Sequence, residues 1–469
     1  MPTLTGIEVV DPSKYIFSLN RLSDCISASF LVNWAIDTQG ALAGFGKVIK
    51  AGRTVLLEFP DIDKARIAVT IYTRRVYDGV PGLEVIATHN QYESGCLAQA
   101  IAKVYADLES AKLGQVPQAV TLGLSVTATC QITGLPAVDL YDGLPLSKKA
   151  LRLRDQSVYL SALEQMQQLL DDNFAFPRKI NDLSQDWDDS SVLGVVYIET
   201  VEPTSAQYRS LSDNEIKKLM QEISAASEKS SQTMVKSIIA RAVARIDIKQ
   251  AQLCGTPTVL EVKLKQMDDK LVLPLYPLIV NRNTLVLVCD GRIALDLAET
   301  AIRATKCSVC AGVALVPAYA SLGRAYELAR ALHFNAKLQG NGGYLDWHVG
   351  LLRPTEDIAS MRHKNYSVAG QPIKLTCRPY RIGSPDAVES WSWVSRTLLG
   401  TAGLRGLNWQ HSLKKLSSAV HQGPEGIRKL KSDGLMLPAP LEQYEGFIEG
   451  RRTPLLDAIE ISDLYLLLD

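Results

Sequence analysis

At 469 residues the chain is long enough for two to four domains, each with a core of its own. Its fifty basic and fifty acidic side chains cancel, and with 46% hydrophobic and 21% charged residues it reads as an ordinary globular protein rather than a fibrous or disordered one. No global field attracts a nucleic acid or a membrane, so any such contact must be local. No apolar run is long enough to span a bilayer and no signal-peptide core follows Met1, so a cytoplasmic protein without a membrane partner is expected. The eight cysteines, at 25, 96, 130, 254, 289, 307, 310 and 377, show no pairing pattern and suit reduced thiols.

In chain order, Gly6 to Val10 is a short apolar strand, and Pro12 stands where a helix begins. From Ser13 to Ala35, Ile16, Leu19, Leu22, Ile26, Phe30 and Trp34 recur at helical spacing. Phe45 to Lys50 and Thr54 to Phe59 are β-rich runs around the turn Ala51-Gly52-Arg53. A helix opens at Pro60-Asp61, and Leu83 to Thr88 is the next strand. The order is βαββαβ. A helix over 95–113, a loop-rich stretch over 126–146 and a linker over 171–190 follow, the linker ending in the acidic run Asp186-Trp187-Asp188-Asp189.

The order then recurs. Leu193 to Glu199 is a strand ending at a carboxylate, and Ser212-Asp213-Asn214-Glu215 fits a capping box before a helix to about Arg245. An inserted hairpin is expected about Met267 to Lys270. Leu275 to Val280 and Leu285 to Cys289 are strands around Asn281-Arg282-Asn283-Thr284. Helices over 291–306 and 321–337 alternate with strands over 309–316 and 344–352, and the rest is helical with loops. The expected fold class is therefore α+β: two ferredoxin-like βαββαβ domains in tandem plus a helical C-terminal domain. Their bounds are 1–170 with a helical and loop extension, a linker 171–190, 191–378, and 379–469.

Several motifs, in order, carry a family resemblance. Asp11-Pro12-Ser13-Lys14-Tyr15-Ile16-Phe17, Asn20-Arg21-Leu22 and Ala28-Ser29 resemble the first palm of the large polymerase-like subunit of type III CRISPR effector complexes. Ala311-Gly312-Val313-Ala314, Arg324-Ala325-Tyr326-Glu327-Leu328-Ala329 through Ala336-Lys337, and Leu345-Asp346-Trp347-His348 resemble its second palm. Cys377-Arg378-Pro379-Tyr380 and Thr453-Pro454-Leu455-Leu456-Asp457 resemble compact relatives that carry only the palms and a helical tail. The resemblance implies palm folds, a cyclase-like ancestry and a place in an antiviral defence assembly.

The departures decide the expected chemistry. A catalytic palm holds two divalent ions on hard oxygen ligands. The resemblance puts those ligands at an Asp closing the first strand and a Gly-Gly-Asp-Asp turn. Here Glu199 stands at the strand end and the turn reads Asn281, Arg282, Asn283 and Thr284, with a cation where metals would sit. A catalytically inactive subunit that binds partner proteins or RNA is expected, with no catalytic residue, no bound metal and no cofactor. The alternatives are a divergent palm nucleotidyl cyclase or oligonucleotide synthetase using Glu199, for which Mg²⁺ would be needed, and a nucleotide-binding sensor without turnover. Lys337 and Arg282 are the candidate nucleotide contacts. Arg405, Lys414, Lys415, Arg428, Lys429 and Lys431, with Glu425 the one acid over 397–432, form the candidate RNA or partner contact. Cys307-x-x-Cys310 has no second pair, and Cys130 sits where some relatives carry a cysteine-bearing finger but lacks its partners, so zinc is expected at neither. The partners expected are other subunits of a defence ribonucleoprotein, RNA and a nucleotide.

Overall fold

The computed structural model describes residues 1–114, 128–200, 211–248, 262, 264–306, 308–340, 342–353, 356–383, 387–388, 390–400, 403–404, 413–434, 437, 439–449, 451–462 and 464. The chain is α+β and divides into two compact units. One is Met1–Asp172 with Glu202–Gln232 and Leu278–Thr284; the other is Asn173–Val201 with Thr233–Pro277 and Leu285–Asp469.

The first unit runs β1 (Thr3–Val9), α1 (Pro12–Ile16), α2 (Leu22–Ile36), β2 (Lys47–Lys50), β3 (Thr54–Phe59), α3 (Ile62–Gly79), β4 (Val85–Gln91) and α4 (Leu97–Leu113). A hairpin of β5 (Asp139–Tyr141) and β6 (Leu144–Leu146) follows, then α5 (Lys148–Leu153) and α6 (Gln156–Gln167). Its sheet is antiparallel in the order β2-β3-β1-β4. The single helix expected over Ser13 to Ala35 is two. Asp11 caps α1 through the Lys14 N–H, Ser18 Oγ donates to the Tyr15 carbonyl, and Arg21 is extended before α2 starts. Serine and asparagine offer the backbone such local bonds in place of a continuing helix. Leu19 and Leu22 are buried on either side of the break, which is why the periodicity runs through it. Gly6 lets α4 lie against β1, since a Cβ there would stand 2.4 Å from Val104.

The second unit begins with β7 (Phe174–Ala175) and β8 (Val192–Glu199). Within 171–190, a 3₁₀ turn at Ile180–Asp182 is tied by Asp182, which accepts from the Arg178 and Lys179 N–H groups and from Lys265 Nζ at 2.6 Å. Helix α7 (Asp213–Ile248), whose residues up to Gln232 belong to the first unit, opens at the expected capping residues, Glu215 accepting from the Ser212 N–H at 2.8 Å. The expected inserted hairpin is β9 (Gln266–Met267) and β10 (Lys270–Val272), with Asp268 and Asp269 both at positive φ in the turn. Then come β11 (Leu275–Val280), β12 (Thr284–Asp290), α8 (Gly291–Ala304), β13 (Cys310–Pro317), α9 (Leu322–Lys337) and β14 (Tyr344–Val349). The tail holds α10 (Ile358–Asn365), β15 (Tyr380–Arg381), α11 (Trp391–Trp393), α12 (Leu413–His421), α13 (Pro424–Ser432), α14 (Ala439–Glu442) and α15 (Leu455–Ile461).

The large sheet has the order β11-β12-β8-β13-β14-β15. Counted in chain order, its first four strands lie second, third, first, fourth, as the four strands of the first sheet do. β13 is antiparallel to β8, with Cys310 opposite Glu199, and parallel to β14. Arg378, fully buried, ties α15 down through Asp457 at 2.9 Å and Glu460 at 3.3 Å, beside the stacked rings of Trp347 and Tyr380. No helix among the described residues is long and apolar enough to cross a membrane.

Candidate functional site

The turn that joins β11 to β12 is closed on itself. Asn281 Oδ1 accepts from the N–H groups of Asn283 at 3.1 Å and Thr284 at 2.7 Å, and the Asn281 N–H donates to the Thr284 carbonyl at 3.1 Å. This is the local bonding that asparagine favours in turns. Helix α7 then holds the turn from outside: Ser231 Oγ donates to the Asn281 carbonyl at 2.6 Å, and Glu228 pairs with Arg282 at 3.0 Å. Asn283 is buried. The backbone N–H groups of Asn281, Asn283 and Thr284 are therefore already bonded, and the cation of Arg282 is matched by a carboxylate from the same unit. The same face of α7 reaches the first sheet, where Lys217 pairs with Glu58 at 2.6 Å, Gln221 reaches the Val48 carbonyl at 3.5 Å, and Ser224 Oγ lies 3.2 Å from the Ala51 carbonyl.

Glu199 is a different case. It closes β8, and α9 packs across β13 closely enough that a Cβ on Gly312 would stand 2.1 Å from the Ala329 carbonyl oxygen and 2.3 Å from the His333 nitrogen. That approach brings the His333 ring under the strand end. His333 Nδ1 is 3.1 Å from the Cys310 carbonyl, an acceptor, so Nδ1 carries the hydrogen and Nε2 presents a lone pair. Nε2 has no hydrogen-bond partner and faces Glu199 Oε2 at 3.8 Å, with the histidine 1% and the glutamate 19% exposed at their side chains. Burial holds the imidazole down at about 4, the Cys310 carbonyl opposing and the Lys337 charge assisting. The ring is thus neutral near pH 7, and two acceptors face each other. The arrangement can take a proton, or an N–H or O–H from a ligand or water, between them. Tyr197 and Phe334 each stand edge-on to His333, at 5.2 Å and 5.8 Å.

Of the residues singled out in the sequence, the structure thus brings Glu199 up to His333, with Lys337 further along the same helix. Lys337 lies exposed in the last turn of α9, one helical turn beyond the histidine. His333 went unnoticed because it shares the inward face of α9 with Ala329, Leu332 and Ala336 and reads as core. Lys414 and Lys415 on α12, and Arg428, Lys429 and Lys431 on α13, are all exposed, while Leu416, Val420, Ile427 and Leu430 form the buried faces. Arg405 and Cys307 lie outside the described residues. Cys310 is buried on β13, where burial raises its thiol. Among the described residues, no three His, Cys, Asp or Glu side chains gather as metal ligands.

No family model matches the chain, and no curated protein matches it. Solved structures do. A Csm1–Csm4 cassette in complex with pppApA superposes with a TM-score of 0.56 at 14% identity, covering 99% of this chain and 69% of the other. The cassette with cA3 gives 0.55 at 13%, again over 99% and 69%, and the cassette with AMPPNP gives 0.54 at 13% over the same shares. The chain is folded like Csm1. At such identity the likeness is one of fold, and it meets at that level the resemblance drawn from the motifs.

Proposed function

We propose that the chain is a catalytically inactive palm-type subunit of a type III CRISPR-like antiviral assembly, binding partner subunits or RNA. In this reading the two four-strand runs are tandem ferredoxin-like palms, the second ending near residue 378, and 379–469 is a helical domain that offers basic faces. The fold likeness to Csm1 supports the place in such an assembly, and a subunit related to the Csm4 of those cassettes is the partner class expected.

The observation that carries the inactivity is the turn at Asn281. Two-metal phosphoryl transfer needs clustered carboxylate oxygens, and here an asparagine closes the turn while Arg282 is held by Glu228. One carboxylate beside one imidazole, at Glu199 and His333, does not replace that set. Purified protein should make no linear or cyclic oligoadenylate from ATP with Mg²⁺ or Mn²⁺. Product that disappears in Glu199→Ala would overturn the reading and favour an enzyme. A second reading, nucleotide binding without turnover, is favoured by the Lys337 cation one turn from the His333 lone pair. ATP binding by calorimetry, lost in Lys337→Ala with no product formed, would support it.

The basic helices give the RNA arm of the proposal its test. Phosphate contacts release counterions, so affinity should fall steeply with salt. Lys414→Glu with Lys415→Glu should weaken RNA of any sequence alike, because such contacts position the chain and do not specify a sequence. Unchanged RNA affinity in a variant that melts like the parent would remove this surface from the proposal.

A further inference from the structure

The stretch 128–154 of the first unit has an arrangement that its apolar pattern does not require. Cys130 sits in a tight turn, its N–H donating to the Leu135 carbonyl at 2.8 Å and its carbonyl accepting from the Gly134 N–H at 2.9 Å, with Gly134 at positive φ. The β5–β6 hairpin follows, and Ser147 then caps α5. A turn, a hairpin and the first turn of a helix thus meet. The residues at the meeting point are Cys130, Thr133, Ser147 and Ala150. Cys130 and Ala150 are both buried in one small cluster with Leu146. Thr133 Oγ1 and Ser147 Oγ are 2.9 Å apart.

Read as positions, these four have the spacing C-x2-T … S-x2-A. Structural zinc sites draw four ligands from two such pairs, each with two residues between its members, with the metal tying a turn to a helix start. Here only the first position keeps a metal-binding side chain, and a chain of hydrogen bonds joins all four. The Ala150 N–H donates to Ser147 Oγ at 3.3 Å, the Ser147 and Thr133 hydroxyls meet, and hydrogen bonding from Thr133 acts on the Cys130 thiol to lower it. Backbone hydrogen bonding from Ser147, Thr133 and Ile132 acts on the thiol in the same direction. Burial alone would raise that thiol, but these bonds outweigh it and bring it down to about 6. A sulfur that would be a thiolate on a metal is instead held as an acceptor by hydroxyl and amide donors. The residues present do not fit a zinc ion, which needs further thiolate or imidazole ligands.

We infer that this module has the geometry of a four-ligand zinc site whose metal has been replaced by the hydrogen-bonded chain Ala150–Ser147–Thr133–Cys130, so that the chain folds here without metal. The inference stands apart from the proposed function.

The test restores the ligands. Thr133→Cys, Ser147→Cys and Ala150→Cys together should bind one Co²⁺ or Zn²⁺ per chain, Co²⁺ showing the visible bands and sulfur charge transfer of a tetrahedral thiolate site. The parent protein should show neither. A triple variant that is folded elsewhere and binds no metal would overturn the inference. The parent protein provides the second arm whatever the variant does. A chelator should leave the exchange protection of 128–154 unchanged, whereas Thr133→Val with Ser147→Ala should speed exchange there at least tenfold. Chelation that releases one zinc per chain and loosens this segment would overturn the inference equally.

Discussion

The two sheets share a strand order, and each carries a glutamate in the last two residues of its first strand, but the two carboxylates have opposite surroundings. Glu8, on β1, is met by Arg53 at 3.1 Å, Lys112 at 3.0 Å and Thr54 at 3.1 Å. Glu199, on β8, is met by the bare nitrogen of a neutral imidazole. Two cations and a hydroxyl use up the first carboxylate as a fastening between β1, the β2–β3 turn and α4. The second carboxylate has bonding capacity left over. A buried acceptor without a donor costs free energy, and the position that keeps such a cost is where a ligand or a proton has something to gain.

The largest effect that sharpens this contrast is one of pH. His333 and His348 are both held down at about 4, the first by burial with the Cys310 carbonyl opposing and Lys337 assisting, the second by burial and then by Arg378 and Arg362. An unfolded histidine takes up its proton near pH 6.5. Between about 6.5 and 4 the unfolded chain therefore binds more protons than the folded one, so stability falls as pH drops through that window and is unaffected above it. The loss approaches about 3 kcal/mol per imidazole at the acid end. Hydrogen exchange at pH 7 and pH 4.5 should show β8, β13, α9 and β14 losing protection before β1 and β3. In the first unit His89 is shifted the same way, by burial and Arg66, but is only half-buried and sets a smaller background. Equal loss in both units would break the contrast.

Next in size is Glu8→Gln. The amide keeps the shape but removes the carboxylate that Arg53 and Lys112 share, and because both cations reach solvent and Lys112 also pairs with Glu109 the cost should be about 2 kcal/mol rather than the larger figure for a fully buried pair. The smallest effect has the opposite sign. Glu199→Gln supplies an N–H for His333 Nε2, and should leave stability unchanged or raise it by up to about 1 kcal/mol. Urea unfolding of the two variants side by side checks both. A Glu199→Gln variant destabilised as much as Glu8→Gln would mean that the two glutamates do the same work.

Much of the scaffold was legible from period and turn chemistry. The strands around Asn281, the capping box at Ser212 and the α9 face all stand where their residue patterns put them. What escaped lies in pairings between distant residues that leave no local pattern. Glu228 precedes Arg282 by the second half of α7 and three strands, and nothing in either neighbourhood announces the ion pair. Thr133 and Ser147 look like ordinary turn and cap residues until the hairpin between them folds. His333 hides in an apolar stripe, and the break before Arg21 hides under a periodicity that both helices obey.

The stripe on α7 has a consequence for how the sequence can drift. Ser224 and Ser231 hold the tips of two hairpins from a single helix face, seven residues and therefore about 10 Å apart. The helix acts as a ruler, and a ruler tolerates substitutions better than gaps. Loss or gain of one residue between the two serines would turn one of them by about 100° relative to the other, leaving only one tip within reach. Side chains along this stretch can change one at a time, but its length is locked to the separation of the two turns.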